Sequence, residues 1–548
     1  MNAASAHPPL DRLDGPDWWR GAVGYEIYVR SFLDSNGDGM GDLPGIASKL
    51  GSLADLGVDV VWITPFYPSP GKDHGYDVAD YTDIDPQFGT LADLDALVTT
   101  AHEHGLRVLA DIVPNHSSDQ HPWFQAAIAD VDSPYRDYYL FRPAAADGGP
   151  PNNWVSHFGG PAWTLDPAGT GEYYCHLFLP EQPDLNWANP AVMDEFLAIL
   201  RFWVDRGIDG FRIDVAHGLT KDPEFRDNPQ IREITPGMHP TEIFESFDHV
   251  HDLHRLETTL IYQRWHEEVA PFGTILLGEM DSSNIDRFRE YVGRGAGLDG
   301  GFVLTVSSMI WHPESIISDL LTFDHAANGG AAWALSNHDQ PRVVSRFGGG
   351  EVGVHRALAV MTIMVALDGI TFLYQAEELG LPNAVIVGAN EDPITTRNDG
   401  AAGRDVARGP VPWTNGPNNG FTTAGRAWLQ IEPLPADMTV DAQVADPHSN
   451  RHRYQQLIGL RKRLPQLWQT PMELSRRTEA ELIIRRGDLT VVANLGSEPY
   501  DYVADARFVI EFESRAGGAT VDVNRLRVHP ESTVVIRHDD HLEPEAQA

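Results

Sequence analysis

Two patterns of apolar and polar positions alternate along most of this chain. Short apolar runs, of which residues 23–29 are the first, have the length and composition of buried strands. Between these runs, apolar residues recur every three or four positions, as at Ile46, Leu50 and Leu53, until Gly57 ends the pattern. Strands that alternate with amphipathic helices predict parallel βαβ units.

Eight segments have the pattern of such strands. They span 23–29, 58–63, 106–113, 208–215, 274–280, 300–306, 331–339 and 369–375. Eight parallel strands connected by helices are typical of a closed barrel, so the predicted fold class is an α/β (β/α)8 TIM barrel.

Two regions depart from this rhythm. Residues 117–189 are rich in Pro, Gly, Asn, Asp and aromatic residues and show no helical period, which predicts an irregular insertion after the third strand. From about residue 468 onward, short β segments follow one another without helices, which predicts a small antiparallel β domain. The predicted division is a barrel over 1–116 and 190–467, an inserted domain over 117–189 and a C-terminal β domain over 468–548.

Composition and charge exclude several classes of partner. The net charge of −39 argues against nucleic acid or an anionic membrane surface, since both are bound by concentrated positive charge. No apolar run reaches 18 residues and the N-terminus lacks the apolar core of a secretory signal, so we expect a cytoplasmic protein. Cys175 is the single cysteine, which excludes an intrachain disulfide.

Charged side chains follow the predicted strands at their carboxyl ends, where barrel enzymes place their chemistry. They are His116 after strand three, Arg212 and Asp214 on strand four, Glu279 on strand five, and His338 and Asp339 after strand seven. Two carboxylates that bracket a reacting bond indicate glycoside hydrolysis. Arg212 is expected to keep Asp214 ionised, and the apolar run before Glu279 is expected to keep that carboxyl protonated.

Four motifs around these residues resemble the ordered motifs of the α-amylase family, glycoside hydrolase family 13. They read "ADIVPNH" (110–116), "GFRIDVA" (210–216), "LLGEM" (276–280) and "LSNHDQPR" (335–342). The resemblance implies a retaining mechanism with Asp214 as nucleophile, Glu279 as acid/base and Asp339 as the third carboxylate. It further implies that His116, Arg212 and His338 contact the sugar at the cleavage site.

Further stretches are similar to the oligo-1,6-glucosidase and α-glucosidase branch of that family. They are "QPDLN" (182–186), "YQAEELG" (374–380), "DHGYDVADY" (73–81) and "GRDVARGPVPW" (403–413). This likeness implies that Tyr76 and Asp77 bind the terminal glucose and make cleavage exo-acting, with Arg408 as a further sugar contact. The implied substrate is a short oligosaccharide or an α-glucoside, and no organic cofactor is expected.

The stretch "DSNGDGMGD" (34–42) carries oxygen donors at alternate positions. It is not an EF-hand, because the twelfth position counted from Asp34 is Gly45 instead of an acid. Relatives in the same branch hold Ca²⁺ or Mg²⁺ in a similar loop, which implies a structural ion. The implied ligands are Asp34, Asn36, Asp38, the Met40 carbonyl and Asp42. A plain acidic turn remains the alternative.

The leading hypothesis from the sequence is a retaining, exo-acting α-glucosidase, with transglucosylation left open. The first rival is a transferase or isomerase of the same family, such as a transglucosidase, a sucrose isomerase or a trehalose synthase, which shares the covalent intermediate. The second rival is a non-catalytic relative, and the intact Asp214, Glu279 and Asp339 argue against it.

Overall fold

The computed structural model describes residue 15 and residues 17–281, 284–292, 297–398 and 400–538. Its centre is a closed barrel of eight parallel strands, numbered here β1 to β8 in chain order. They are β1 (Val23–Ile27), β2 (Val60–Ile63), β3 (Arg107–Ile112), β4 (Gly210–Ile213), β5 (Ile275–Met280), β6 (Gly300–Val303), β7 (Ala331–Ala334) and β8 (Ile370–Tyr374). Each strand pairs with the next, and β8 pairs with β1. The predicted TIM barrel is confirmed, and each predicted segment contains one of its strands.

Helices pack around the outside of the barrel. The longer ones are Leu43–Leu56, Leu91–Glu103, Pro190–Val204, Glu257–Val269, Ile285–Tyr291, Pro313–Ala327, Gly350–Met364 and Asn450–Arg463. Shorter helices are Val29–Phe32, Pro122–Ala129, Pro240–Phe244, Leu304–Ser308, Val343–Arg346, Pro393–Arg397, Val440–Ala445 and Gln466–Gln469. Gly57 ends the first long helix as predicted, because its φ of 106° is left-handed and suits glycine.

Two hydrophobic layers lie on either side of the barrel wall. The inner layer includes Trp62, Leu109 and Leu277 from neighbouring strands, and it fills the barrel interior. The outer layer joins the opposite strand faces to helix residues such as Leu50 and Trp203. Strands buried on both faces explain the nearly continuous apolar runs in the sequence.

The region predicted as an irregular insertion contains regular structure. Strands Phe141–Pro143, Trp163–Leu165 and Glu172–Cys175 form an antiparallel sheet, and Pro122–Ala129 is a helix. The sequence pattern did not reveal this helix because eight residues make about two turns, too few for a visible apolar period. Pro122 at the helix start and the His121 side chain, which accepts a hydrogen bond from Trp123 N, begin this helix.

The C-terminal region is antiparallel, as predicted. A five-stranded sheet contains Glu473–Ser475, Glu481–Arg486, Leu489–Asn494, Ser532–His538 and Phe508–Glu513, and a three-stranded sheet contains Tyr500–Val503, Arg525–Val528 and Ala519–Asp522. The domain boundaries themselves stay predictions. Within the described residues no helix has the length and hydropathy needed to cross a membrane, and the cellular location stays a prediction.

Candidate active site

The carboxyl ends of β3, β4 and β5 bring three acidic side chains to one mouth of the barrel. Asp111 on β3 lies directly across from Arg212 on β4, and Asp214 follows the last residue of β4. Glu279 is the fifth residue of β5. Strand ends on this side are the usual place for catalytic groups in barrels of this architecture.

A single guanidinium holds these three acids together. Arg212 Nη1 donates to both oxygens of Asp111, at 2.9 and 3.1 Å, and to Asp214 Oδ1 at 2.7 Å. Arg212 Nη2 lies 2.8 Å from Glu279 Oε2. The Arg212 side chain is only 3% exposed, so these charge-assisted hydrogen bonds form away from water, where they are strong. The expected contact between Arg212 and Asp214 is present in the structure.

Three carboxyl groups around one guanidinium carry an excess of negative charge. Burial raises the pKa of Asp214 well above its ordinary value, and the charge of Glu279 raises it further, although Arg212 opposes both effects. Burial also raises the pKa of Asp111 to about 7, again against Arg212. Burial thus favours the protonated forms of Asp111 and Asp214, contrary to the expectation that Arg212 keeps Asp214 ionised.

Glu279 lies in more polar surroundings than its sequence context predicts. Its Oε2 contacts Arg212 Nη2 at 2.8 Å and accepts a hydrogen bond from Val215 N at 3.1 Å. The expectation of an apolar setting was wrong because Leu277 lies one layer deeper on the same face of β5, whereas the strand end meets Arg212 and the segment after β4.

Val215, directly after Asp214, has a left-handed backbone with φ of 44°. For a β-branched residue this conformation costs about 1–2 kcal/mol. The strained backbone directs the Val215 N–H at Glu279 Oε2, and the next N–H, of Ala216, donates to the Glu279 carbonyl at 2.8 Å. Backbone strain of this kind at a candidate site is typical of groups held for function.

Asp339 stands apart from the first three acids and is held by cations. Its Oδ1 lies 2.8 Å from Arg408 Nη2 and 3.3 Å from Arg404 Nη1, and its side chain is 26% exposed. Partial burial raises the pKa of Asp339, but the nearby His338 and the charges of Arg404 and Arg408 outweigh it and hold that pKa below its ordinary value. Asp339 is therefore ionised and open to a ligand.

His338 and His116 are neutral imidazoles beside Tyr76. The Tyr76 and His338 rings stack at 5.4 Å with an interplanar angle of 7°, and Tyr76 Oη lies 2.8 Å from His338 Nε2. His116 Nε2 lies 3.1 Å from the Tyr76 carbonyl oxygen and 3.0 Å from Gln182 Nε2. Burial lowers the pKa of His338 to about 3 and that of His116 to about 4. Both rings thus serve as hydrogen-bonding groups near neutral pH.

The predicted sugar contact at Asp77 is not supported by its position. Asp77 is fully buried, and its oxygens accept hydrogen bonds from the Ser69 hydroxyl and from the N–H groups of Lys72 and Asp73. A carboxylate that holds its own loop is not available to a ligand. Asp73, four residues earlier, instead pairs with Arg404 Nη2 at 2.7 Å.

Arg408 lies behind Asp339, and Arg404 lies closer to the mouth. The Arg408 side chain is 1% exposed, and its Nε donates to the His338 carbonyl at 2.9 Å. The Arg404 side chain is 14% exposed and bridges Asp73, Asp339 and Asp392. Arg408 therefore positions Asp339, and Arg404 has the more accessible guanidinium of the two.

Sequence reasoning missed Asp111, Asp73 and Arg404. Asp111 and Arg404 stand inside the quoted stretches "ADIVPNH" and "GRDVARGPVPW", and Asp73 opens "DHGYDVADY". A signal was present for Asp111, because an acid inside a strand that is buried on both faces needs a partner. No comparable signal separates Asp73 from Asp77, since both lie in one loop.

The loop after β8 meets the inserted region across the mouth. Arg397 Nη1 pairs with Glu181 Oε2 at 2.7 Å, and Asn398 Nδ2 donates to the Phe158 carbonyl at 3.0 Å. These bonds join two chain segments that both follow carboxyl ends of barrel strands. Together with the Asp73–Arg404 pair, they build a wall on this side of the site.

Comparisons with known proteins agree with this geometry. The family described as "Alpha amylase, catalytic domain" matches residues 26–470. That span is well over half of the chain. The chain belongs to the α-amylase family.

Relatives and solved structures cover nearly the whole chain. An α-glucosidase of Culex pipiens is 35% identical over 96% of this chain and 91% of its own length. An oligo-1,6-glucosidase of Parageobacillus thermoglucosidasius is 37% identical over 81% of this chain and 84% of its own. The crystal structure of an α-glucosyl transfer enzyme superposes with a TM-score of 0.85 at 35% identity, covering 95% of this chain and 99% of that one.

In this member of the α-amylase family, the loop 34–42 is closed by its own hydrogen bonds. Both oxygens of Asp34 and of Asp42 accept from N–H groups of the loop and of the helix that follows. Asn36 and Asp38 are exposed, and each accepts from the N–H two residues further on. In the described part of the chain, no group of three or more His, Cys, Asp or Glu side chains is placed to hold a metal ion. The donor set consists of oxygens and fits a hard cation chemically, so ion binding stays a prediction.

Proposed function

We propose that this protein is a retaining, exo-acting α-glucosidase that removes terminal α-linked glucose from short oligosaccharides or α-glucosides. The observation that carries the proposal is the shared guanidinium of Arg212, which contacts Asp214 at 2.7 Å and Glu279 at 2.8 Å. Two carboxylates on one guanidinium are close neighbours, and retaining glycosidases require a separation of about 5–5.5 Å between the pair.

The reaction divides into two displacements at the anomeric carbon. Asp214 attacks that carbon while Glu279 gives its proton to the departing glycosidic oxygen, so a glucosyl ester forms on Asp214 and the C–O bond of the leaving group breaks. Glu279, now ionised, then takes a proton from water, whose oxygen displaces Asp214 and yields glucose with the α configuration. Asp214 reacts in its ionised form, which the hydrogen bond from Arg212 Nη1 stabilises.

Asp339 and His338 are proposed to hold sugar hydroxyls as the ring distorts. The Asp339 carboxylate is ionised and 26% exposed, which suits two hydroxyl donors on neighbouring carbons. Tyr76 lies parallel to the His338 ring and offers the sugar a flat apolar surface. Hydrogen bonds to hydroxyl groups that strengthen in the transition state supply several kcal/mol in such enzymes.

The wall at the mouth supports exo-action. Arg397 with Glu181, and Arg404 with Asp73, join chain segments beside the site. A sugar chain that ends against this wall presents its terminal unit to Asp214, so single glucose units are released. We assign Asp73 and Arg404 as the contacts of the terminal glucose, in the role predicted for Asp77.

We further propose that the loop 34–42 binds Ca²⁺ or Mg²⁺ as a structural ion. The support is chemical: Asp34, Asn36, Asp38, Asp42 and the Met40 carbonyl present oxygen donors at alternate positions of one loop. When bound, such an ion neutralises the local acids and tightens the loop. The alternative, a turn closed by its own hydrogen bonds, gives the opposite result with a chelator.

A transferase is the second candidate, favoured by the superposition on an α-glucosyl transfer enzyme. Incubation with maltose, isomaltose, sucrose and trehalose, with products resolved by chromatography, tests both. Free glucose in proportion to bonds cleaved supports the hydrolase. Longer oligosaccharides indicate a transferase, sucrose or maltose isomers indicate an isomerase, and unchanged substrates contradict both candidates.

A further inference from the structure

A buried acid and an imidazole share a short hydrogen bond beneath the mouth of the barrel. Glu26, on β1, is 1% exposed, and its Oε1 lies 2.6 Å from His338 Nδ1. The same oxygen accepts the backbone N–H of His338 at 3.2 Å. The other residues of β1 are apolar or glycine, and all of them are buried. A buried acid in such a strand lowers the stability of the fold unless it has a partner of this kind.

The His338 ring has no freedom to turn. It stacks between Tyr28, at 5.7 Å and 15°, and Tyr76, at 5.4 Å and 7°. Only the ring edge remains for polar contacts. Nδ1 points to Glu26, and Nε2 points to the mouth, with Tyr76 Oη at 2.8 Å and Asp339 Oδ2 at 3.4 Å.

We propose that Glu26 is a positioning residue that keeps a proton on His338 Nε2, so that the imidazole donates to Tyr76 Oη and faces Asp339 and the sugar hydroxyl that Asp339 holds. The inference rests on the proposed function, because it concerns the same glucose-binding site. Glu26 does not contact the substrate and acts only through His338. It extends the Asp111–Arg212 network to the opposite side of the mouth.

One proton is shared between the Glu26 carboxyl and His338 Nδ1. Either the Glu26 carboxyl donates its O–H to Nδ1, or Nδ1–H donates to the Glu26 carboxylate and the ring is an imidazolium. The two forms differ only by transfer along the 2.6 Å bond. In both forms Nε2 carries a proton, with Tyr76 Oη at 2.8 Å and Asp339 Oδ2 at 3.4 Å.

A neutral amide at position 26 reverses this arrangement. The backbone N–H of His338 needs an acceptor at the Oε1 position, so a glutamine presents its carbonyl oxygen there. That oxygen then also faces Nδ1, which becomes the protonated nitrogen. Nε2 is left with a lone pair directed at the Asp339 carboxylate, which is repulsive.

Burial favours the bound proton, and the surrounding charges act in both directions. The groups that face the pair are Tyr28, Tyr76, Asp111, Arg212, Asp339, Tyr374, Arg404 and Arg408. Burial raises the pKa of Glu26 well above its ordinary value, Arg212 opposes this, and the charges of Asp339 and Asp111 add to it. Burial therefore favours the form of the pair that keeps this proton.

The test compares Glu26→Gln with the unmodified enzyme on an aryl α-glucoside across pH 5 to 10. We expect kcat/KM at neutral pH to fall about tenfold or more. The alkaline limb of its pH profile should move down by about one pH unit or more, because only the imidazole is then left to supply the Nε2 proton. Glu26→Asp keeps the acid on a shorter side chain, so its alkaline limb should stay near that of the unmodified enzyme.

Glu378→Gln is the matched control. Glu378 is also a buried acid and is 3% exposed. It accepts a hydrogen bond of 3.2 Å from Tyr25 Oη and, within the described residues, none from His338. The same chemical change there should leave the pH profile in place. A folded Glu26→Gln enzyme with an unmoved alkaline limb overturns the inference.

If Glu26→Gln does not fold, neutron diffraction of the unmodified protein decides the question. A proton on His338 Nε2 supports the inference, and a bare Nε2 overturns it. A failure of the proposed function is distinct, because the unmodified protein would then release no glucose from any of the α-glucosides.

Discussion

Arg212 Nη1 donates to Asp214 Oδ1 over 2.7 Å, and the two residues stand two positions apart at the end of β4. Side chains two positions apart lie on one face of a strand, so this contact follows from local geometry. The same guanidinium reaches Glu279 from the neighbouring strand. Alignment of the two candidate catalytic carboxylates is thus a property of the barrel wall.

Asp214→Asn and Glu279→Gln should each lower kcat on an unactivated disaccharide by about a thousandfold or more, because each removes a covalent or proton-transfer step. Thermal unfolding should show that both variants remain folded. Asp95→Asn, on an exposed helix surface, is the control and should retain full activity. A folded Asp214→Asn enzyme with a tenth of the original kcat would contradict the nucleophile assignment.

Val215→Thr tests linkage preference. The resemblance to the oligo-1,6-glucosidase branch implies that valine after the proposed nucleophile Asp214 goes with tolerance of α-1,6 bonds. Threonine keeps the β-branched shape at φ of 44° and adds a hydroxyl beside the Glu279 contact. The isomaltose-to-maltose ratio of kcat/KM should fall by about tenfold, the effect of about 1–3 kcal/mol from one contact. Steady-state kinetics on both disaccharides measures it, and an unchanged ratio would make Val215 a wall residue only.

Asp38→Ala tests the ion proposed for the loop 34–42. Added Ca²⁺ or Mg²⁺ should raise the Tm of the unmodified protein and not that of the variant, because a ligand that binds only the folded state stabilises it. Activity at low temperature should survive, since the loop lies outside the acid cluster. Asp437→Ala, at an exposed acid outside the loop, is the control. The ion assignment fails if a chelator leaves the Tm of the unmodified protein unchanged.

Glu377→Gln tests the charge buried behind β8. Burial raises the pKa of Glu377 from 4.5 to about 8. Between these values the folded state binds a proton that the unfolded state has lost, so the free energy of unfolding falls as the pH rises. Glu377→Gln has no carboxyl to titrate, so its free energy of unfolding should not fall in this way. The Tm of the variant minus that of the unmodified protein should therefore be larger at pH 9 than at pH 5. Glu267→Gln, which is 70% exposed, should show no such pH dependence.

Much of the fold could be predicted because burial imposes a period on the sequence. β1 and the helix Leu43–Leu56 follow directly from apolar spacing, and Gly57 marks the turn between elements. The acids at Asp214 and Glu279 were found by the rule that strand ends meet at one mouth.

The remaining site residues could not be predicted, because the spacing of residues along the chain does not give the direction in which a side chain points. Asp111 and Glu26 lie within strands that are buried on both faces, so period alone does not tell whether a side chain points into the barrel. Asp73 and Asp77 share one loop in which His74 has a φ of 54°, and that turn decides which acid meets Arg404. Ion pairs between loops that are distant in sequence, such as Arg404 with Asp73 and Arg397 with Glu181, form the remaining wall of the site.

The anomeric configuration of the first-formed glucose tests whether Asp214 forms a covalent intermediate. Proton NMR during early hydrolysis of an aryl α-glucoside resolves α- and β-glucose before they equilibrate. A double displacement through Asp214 predicts that the first-formed glucose is the α-anomer. First-formed β-glucose would show a single displacement by water and contradict the covalent role of Asp214.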